Sequence, residues 1–312
     1  MKALIIDNVS AKIPEMLRSK GVDVDIQVMP GAERLKTLIT DVDLLVMRVL
    51  PAIDKEILDC GKQLKAIAVC SVGTTHIDLD YAKEKGIAII NAPAGSTNAV
   101  AELAICKLLE LNRRTVLAHN EVTGQRVWEK NHFKGHELMG QTLGLVGYGR
   151  IGRRTAELAR AFGMRTIVYD PYMTAEQCAA TGGEKMDKDE FLATADCITI
   201  HLPLTPETDN LISFDDIAKM KDGAIVINMS RGGVLNEEAA AQALKSGKLS
   251  GVGADVVKGE LADLTGGDVL ESPLFEVGGN FVVTPHIGAA TAEAQARIGD
   301  TICEQVQEFF HL

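Results

Sequence analysis

Three residues that are distant in the chain carry the side-chain types of one reaction. Arg231 lies in Asn228-Met229-Ser230-Arg231-Gly232-Gly233, directly after an apolar run at 224–228. It therefore projects from a strand's carboxyl end, where ligands of open α/β sheets bind. A guanidinium there can grip a carboxylate through two parallel hydrogen bonds. Its plain structural alternative is pairing with an acid at the same strand end. His286 lies in Thr284-Pro285-His286-Ile287-Gly288, after the apolar run 281–284. Pro285 stiffens the turn and Gly288 permits close backbone approach. An imidazole there is a general acid or base, because it titrates near neutrality. Glu260 lies beyond Ala254-Asp255-Val256. Taken alone it is a surface acid; beside His286 it would favour the charged imidazole. Hydride transfer to a 2-keto acid needs a carboxylate anchor, an acid for the forming alkoxide and a group that keeps that acid charged. Arg231, His286 and Glu260 supply those roles.

A hydride donor is also legible. Gly147-Tyr148-Gly149-Arg150-Ile151-Gly152 follows the apolar run 142–146 and opens a helical stretch at 150–162. A second apolar run, 166–169, ends in Asp170, roughly 20 residues past the last glycine of the motif, which is the dinucleotide fingerprint in its full context. Gly147 permits the tight turn, Gly149 lets backbone approach the pyrophosphate, and Gly152 packs helix on strand. The phosphates would sit at the helix N-terminus. Asp170 would accept from the ribose hydroxyls and repel a 2′-phosphate, and Pro171-Tyr172 offers no compensating cation, so NAD is expected rather than NADP.

The elements that must position these residues alternate between strand and helix. Strands are expected at 3–7, 24–29, 44–48, 64–69 and 88–91, then a long helix over 97–119 and a polar segment over 121–138 with the only tryptophan, Trp128. A second series follows at 142–146, 166–169, 197–201, 224–228, 252–255 and 281–284, and a C-terminal amphipathic helix at 291–312. The fold class is α/β, with two parallel-sheet domains and a cleft between them. The first lacks a phosphate-binding loop and is expected to be the substrate half.

Composition narrows the partners. The chain has 312 residues, 46% of them hydrophobic, and a net charge of −11. That charge argues against nucleic acid or an anionic membrane as a main partner, and no apolar run reaches membrane-span length. The N-terminal Met1-Lys2-Ala3-Leu4-Ile5-Ile6-Asp7 is too short for a signal peptide and reads as a strand. The six cysteines, Cys60, Cys70, Cys106, Cys178, Cys197 and Cys303, are scattered. They read as reduced core thiols of a cytoplasmic protein, with no disulfide and no metal site. Cys70, beside a glycine turn, could alternatively be redox-active.

The motifs together resemble the D-isomer-specific 2-hydroxyacid dehydrogenase family along nearly the whole chain. The matching stretches are 147–152 with Asp170, His201-Leu202-Pro203-Leu204-Thr205 with Thr208, Lys221-Asp222-Gly223 through Arg231-Gly232, Gly253-Ala254-Asp255-Val256, and Thr284-Pro285-His286. Upstream, Asn91-Ala92-Pro93 and Val100-Ala101-Glu102 match the passage between domains. The resemblance implies a flavodoxin-like substrate domain, 1–97 with 289–312, and a Rossmann NAD-binding domain, 98–288. It assigns Arg231 to the substrate carboxylate and carbonyl, His286 to acid/base work and Glu260 as its partner. Cofactor positions fall on Arg150, Ile151, Asp170, Leu202, Thr208, Met229, Ser230, Asp255 and Gly288. Ser71, Val72 and Gly73 match a loop whose backbone N–H groups bind the substrate carboxylate. The family is typically dimeric, with 97–138 wrapping the partner.

Within the family the chain looks most like the phosphoglycerate dehydrogenases. Arg48 falls where those enzymes place an arginine on substrate, and 128–135 with Glu137-Leu138 follow their pattern. A second cation suits a substrate with both phosphate and carboxylate. A solvated strand end is the alternative for Arg48. Other small D-2-hydroxy acids, glycerate or lactate, are the runner-up substrates. A non-catalytic, NAD-sensing interaction protein is the alternative from another class, disfavoured because all three catalytic positions are retained. The chain stops at Leu312, so feedback through a C-terminal regulatory domain is not expected. Leu261 stands where the family usually has proline after the catalytic glutamate, and the 260–286 segment is long and glycine-rich.

Overall fold

In a computed structural model, residues 1–260 and 270–312 are described. Leu261 and the first part of the glycine-rich segment lie outside them. The described residues form two compact units, one from Met1–Ser96 with Ala289–Leu312, the other from Thr97–Glu260 with Leu270–Gly288.

The first unit is built on β1 (Lys2–Ile5), β2 (Asp23–Ile26), β3 (Leu44–Met47), β4 (Ala66–Val69) and β5 (Ala88–Asn91). All pairings are parallel, in the order β2-β1-β3-β4-β5. That is the flavodoxin-like doubly wound order. Every residue of β3 and β4 is buried, as a sheet covered on both faces requires. One face packs Ile13 and Leu17 with Ile298, Ile302 and Val306 of the C-terminal helix Ala292–Phe310. Their spacing in that helix is the apolar stripe of an amphipathic helix. Thr291 caps it by accepting from Ala294 N. Leu35, Ile57, Leu58 and Ala82 cover the other face.

The second unit is built on β6 (Thr142–Val146), β7 (Arg165–Tyr169), β8 (Glu184–Lys185), β9 (Cys197–Ile200), β10 (Ala224–Asn228), β11 (Leu249–Ala254) and β12 (Phe281–Val283). The order is β12-β11-β10-β9-β6-β7-β8, again parallel throughout. The chain runs outward from β6 in both directions, so the switch point lies between β6 and β9. Ligands of such sheets bind beyond the strands' carboxyl ends at that point. The expected α/β class with two parallel sheets is therefore present.

Three expectations are corrected. β8 is an additional edge strand of two residues. The helix expected over 97–119 is interrupted: Thr97–Arg113 ends at Arg114, which has φ 53°, before Thr115–Asn120 and a π-helical turn, Glu121–Gln125. The break has a tertiary cause. His136 N donates to the Asn112 carbonyl at 3.0 Å, and a Cβ on Gly135 would lie 2.0 Å from that oxygen. The chain thus returns onto the helix end and takes its terminal acceptor. Finally, the cysteines are free, but only Cys70, Cys178 and Cys197 are buried; Cys106 is exposed, and Cys60 and Cys303 are partly so. Burial pushes the Cys70 thiol up to about 12, which leaves it protonated and unreactive at neutral pH.

Candidate functional site: a dinucleotide turn and an Arg–Glu–His constellation

The turn after β6 is fixed by glycine at its two ends. Gly147 has φ 89°, and a Cβ there would stand 2.7 Å from Leu202. A Cβ on Gly152 would stand 2.2 Å from the Gly147 carbonyl oxygen. Backbone cannot yield as a side chain can, so the start of the helix Arg150–Ala161 packs directly on the turn. Gly149 differs: a Cβ there would meet no protein atom within 4 Å. The protein's own packing does not require glycine at that position, whereas backbone approach to a pyrophosphate does. No side chain caps the helix at Gly149, so its first N–H groups are uncommitted to a capping group. Gly152→Ala is expected to destabilise the fold by about 1–3 kcal/mol through overpacking and to weaken NADH binding. Thermal melts and NADH fluorescence titration check this, and a variant matching the parent in both would remove the close-packing argument.

Asp170 is 7% exposed. Its Oδ2 accepts from Tyr148 N at 2.8 Å and its Oδ1 from Tyr172 N at 2.9 Å. Each carboxylate oxygen retains acceptor capacity after one bond. Tyr148 is fully buried, and its hydroxyl donates to Thr181 O. Arg150 is exposed and Ile151 half-buried. Leu202 packs on Gly147, whereas the Thr208 hydroxyl is spent within its own loop, accepting from Thr205 N at 2.7 Å and donating to Pro203 O at 2.6 Å. These residues fit a bound dinucleotide.

The Arg231 turn is braced by Asn228, a residue sequence reasoning passed over. Its side-chain oxygen accepts from Ser230 N and Oγ at 3.0 and 2.8 Å, and its amide donates to Arg231 O at 2.8 Å. An Asn ending a strand before a tight turn is a recognisable Asx-turn signal. Met229 and Ser230 are buried. A Cβ on Gly232 would lie 2.2 Å from the Val257 carbonyl, so this turn rests on the backbone that leads to Glu260. Arg231 donates from Nη1 to Ser230 O at 2.7 Å and has no ion pair among the described residues. Burial lowers its pKa, and the nearby Glu260 charge opposes that.

His286 has φ 52°, an uncommon left-handed backbone for a residue with a Cβ. Asp255, 3% exposed, fastens the turn around it. Its Oδ1 accepts from Thr284 Oγ1 at 2.6 Å and Ile287 N at 2.9 Å, and its Oδ2 from Gly288 N at 2.8 Å. The Asp255 carbonyl accepts from His286 N at 2.9 Å. The ring nitrogen Nδ1 of His286 lies 3.0 Å from Glu260 Oε1. Oε1 receives no well-directed hydrogen bond, so the two side chains are in contact without being aligned as a donor–acceptor pair. Glu260 Oε2 faces Val257 N at 3.4 Å. The three residues expected to act together are thus carried on neighbouring strand ends of one unit, with Glu260 and His286 in contact.

The first unit brings together the other expected substrate residues. Ser71 Oγ donates to Gly73 O at 2.9 Å and lies 3.4 Å from Arg48 O. Asn91 Nδ2 donates to Val72 O at 2.9 Å. Arg48 Nε is buried without a partner, while the Asp7 carboxylate shares its surroundings, raised above its usual range by burial and lowered by the Arg48 charge. Among the described residues, no cluster of His, Cys, Asp or Glu could hold a metal, and no helix is long and apolar enough to cross a membrane.

Residues 105–288 match the family model for the D-isomer specific 2-hydroxyacid dehydrogenase, NAD binding domain. The chain belongs to the D-isomer-specific 2-hydroxyacid dehydrogenase family. A D-3-phosphoglycerate dehydrogenase of Mycobacterium leprae is 39% identical over 289 residues, 92% of this chain and 53% of that protein. The chain therefore spans about half the length of the phosphoglycerate dehydrogenases it matches. A hydroxypyruvate reductase of Thermotoga maritima is 40% identical over 274 residues, 88% of this chain and 87% of that protein. Among solved structures, a D-lactate dehydrogenase of Aquifex aeolicus complexed with NAD and lactic acid superposes with a TM-score of 0.88. It has 30% identity, over 100% of this chain and 96% of the other. The cofactor of this dehydrogenase-family chain is NAD.

Proposed function

We propose that the chain is an NAD-dependent oxidoreductase interconverting a D-2-hydroxy acid and its 2-keto acid, with D-3-phosphoglycerate the favoured substrate. The contact of His286 Nδ1 with Glu260 Oε1 at 3.0 Å carries this reading. Glu260 engages one ring nitrogen and leaves Nε2 free to exchange a proton with substrate. NADH, when bound, supplies the hydride that the carbonyl carbon accepts. Arg231 holds the substrate carboxylate and polarises the carbonyl. In reduction, His286 protonates the alkoxide oxygen as it forms; in oxidation, it takes the hydroxyl proton back. The dinucleotide would be held by 147–152 with Asp170, Leu202, Met229, Ser230, Asp255 and Gly288, with Asp255 toward the nicotinamide, while Thr208 shapes the 203–208 loop. Ser71, Val72 and Gly73 offer backbone donors to the carboxylate.

A second cation favours a phosphorylated substrate. Arg48→Ala is expected to raise KM for 3-phosphohydroxypyruvate by tenfold or more, about 1.4 kcal/mol, and to change KM for pyruvate far less. Equal effects on both would remove the phosphate argument. Reduction of unphosphorylated hydroxypyruvate is the second reading, favoured by the match along most of the Thermotoga protein. NADH oxidation and NAD reduction across 3-phosphohydroxypyruvate, hydroxypyruvate, pyruvate and their D-alcohols separates the two. A protein that binds NADH yet turns over none of them would sink the enzymatic reading. The reading also includes a cytoplasmic location and a homodimer joined through 97–138, the latter supported by Trp128, 88% exposed in the single chain.

A further inference from the structure

The half-buried carboxylate of Glu237 holds two separate stretches of chain. Glu237 opens the helix Glu237–Ser246, whose place is fixed: Asn236 caps it by accepting from Ala239 N at 2.9 Å, and Ala239, Ala240 and Ala243 are buried. An acid in a first helical turn ordinarily answers the helix itself. Glu238, its neighbour, is exposed and accepts from Gln242 Nε2 at 2.8 Å one turn on. Glu237 turns away instead. Its Oε1 accepts from Lys258 N at 2.6 Å and its Oε2 from Ser272 Oγ at 2.5 Å. Ser272, 6% exposed, in turn caps the short helix Pro273–Glu276 by accepting from Leu274 N. Hydrogen bonds to an ionised acceptor are stronger than neutral ones, so this carboxylate is a firm brace.

The braced peptide leads to Glu260. From Val257 the chain makes a tight turn, in which Gly259 has φ 86° and Glu260 N donates to Val257 O at 3.3 Å. A Cβ on Gly232 would lie 2.4 Å from Lys258 N, so the Arg231 turn closes on the same peptide that Glu237 holds. Glu260 Oε1 then lies 3.0 Å from His286 Nδ1, with no hydrogen bond aligning the contact. Its geometry is therefore set by the backbone that carries Glu260, not by the pair itself.

We propose that Glu237 is a positioning residue: by holding the Lys258 peptide it sets the turn that carries Glu260 to His286. The proposal rests on the reading of Glu260 and His286 as partners in proton transfer. Glu237 touches no reacting atom and acts through Glu260 alone.

Variants separate that role from support of the fold. E237A is expected to lower kcat on the keto acid reduced fastest by about tenfold to a hundredfold, the scale of a misplaced catalytic contact, with NADH affinity by fluorescence titration unchanged. E237Q keeps the side chain's length and an acceptor for Lys258 N, and should retain parental kcat. E260Q removes the charge that Glu237 places, so E237A/E260Q should turn over no more slowly than E260Q. Parental kcat in E237A beside an impaired E260Q overturns the proposal. So do losses that multiply in the double variant, or NADH affinity that falls in step with kcat. If E237A does not fold, E237D carries the test: it withdraws the carboxylate by one methylene and is expected to lower kcat, and parental kcat there overturns the proposal equally. Parental kcat in E260Q itself removes the proton-transfer reading of Glu260 and the proposal with it, an outcome distinct from the others.

Discussion

His286→Asn is expected to reduce turnover by two to four orders of magnitude, roughly the span attributed to a positioned general acid, with NADH still bound. Asparagine tolerates the left-handed backbone that His286 adopts, so the turn survives. The fastening of that turn is made by backbone N–H groups of Ile287 and Gly288 and by the Thr284 hydroxyl, all directed at Asp255 and none involving the imidazole. What disappears is the transferable proton and the ring that Glu260 contacts. Steady-state kinetics beside an NADH fluorescence titration check the split. A collapse of NADH affinity together with turnover would make the residue a coenzyme anchor instead of an acid.

Arg231→Ala is expected to lower kcat/KM by several orders of magnitude, at about 1.4 kcal/mol per tenfold, with the fold little changed. Of the five N–H donors that a guanidinium presents, the structure shows one hydrogen bond, from Nη1 to Ser230 O. Removing the side chain breaks no ion pair among the described residues, and the Asn228 brace to the turn runs through Arg231's carbonyl, which alanine keeps. Kinetics on the best keto acid, with a thermal melt as control, give the measurement. Unchanged kcat/KM would refute the assignment.

The doubly wound plan was legible because its strands are buried on both faces and read as uninterrupted apolar runs, as 142–146 and 224–228 do. Arg231, beyond 224–228, and Asp170, beyond the apolar run 166–169, were legible from the same kind of run. β8 was not: two residues, Glu184 and Lys185, pair with Ile167 and Val168 at the sheet edge, and no apolar pattern marks them. The helix break at Arg114 was hidden too, because its cause is the returning backbone at Gly135 and His136 and not a local Gly or Pro. Glu237 escaped notice because an acid in a helix's first turn ordinarily serves that helix, and only the fold brings Lys258 N and Ser272 Oγ to it. Asn228 could have been singled out from its place between strand and turn.

The two backbone donors on Asp170 make coenzyme choice a mechanical matter as well as an electrical one. The carboxylate that would turn away a 2′-phosphate also latches the glycine loop through Tyr148 and the following segment through Tyr172. Swapping it for a cation would unhook both, so this chain could broaden its appetite for phosphorylated coenzyme only by loosening its hold on either form, until other residues re-tied the loop.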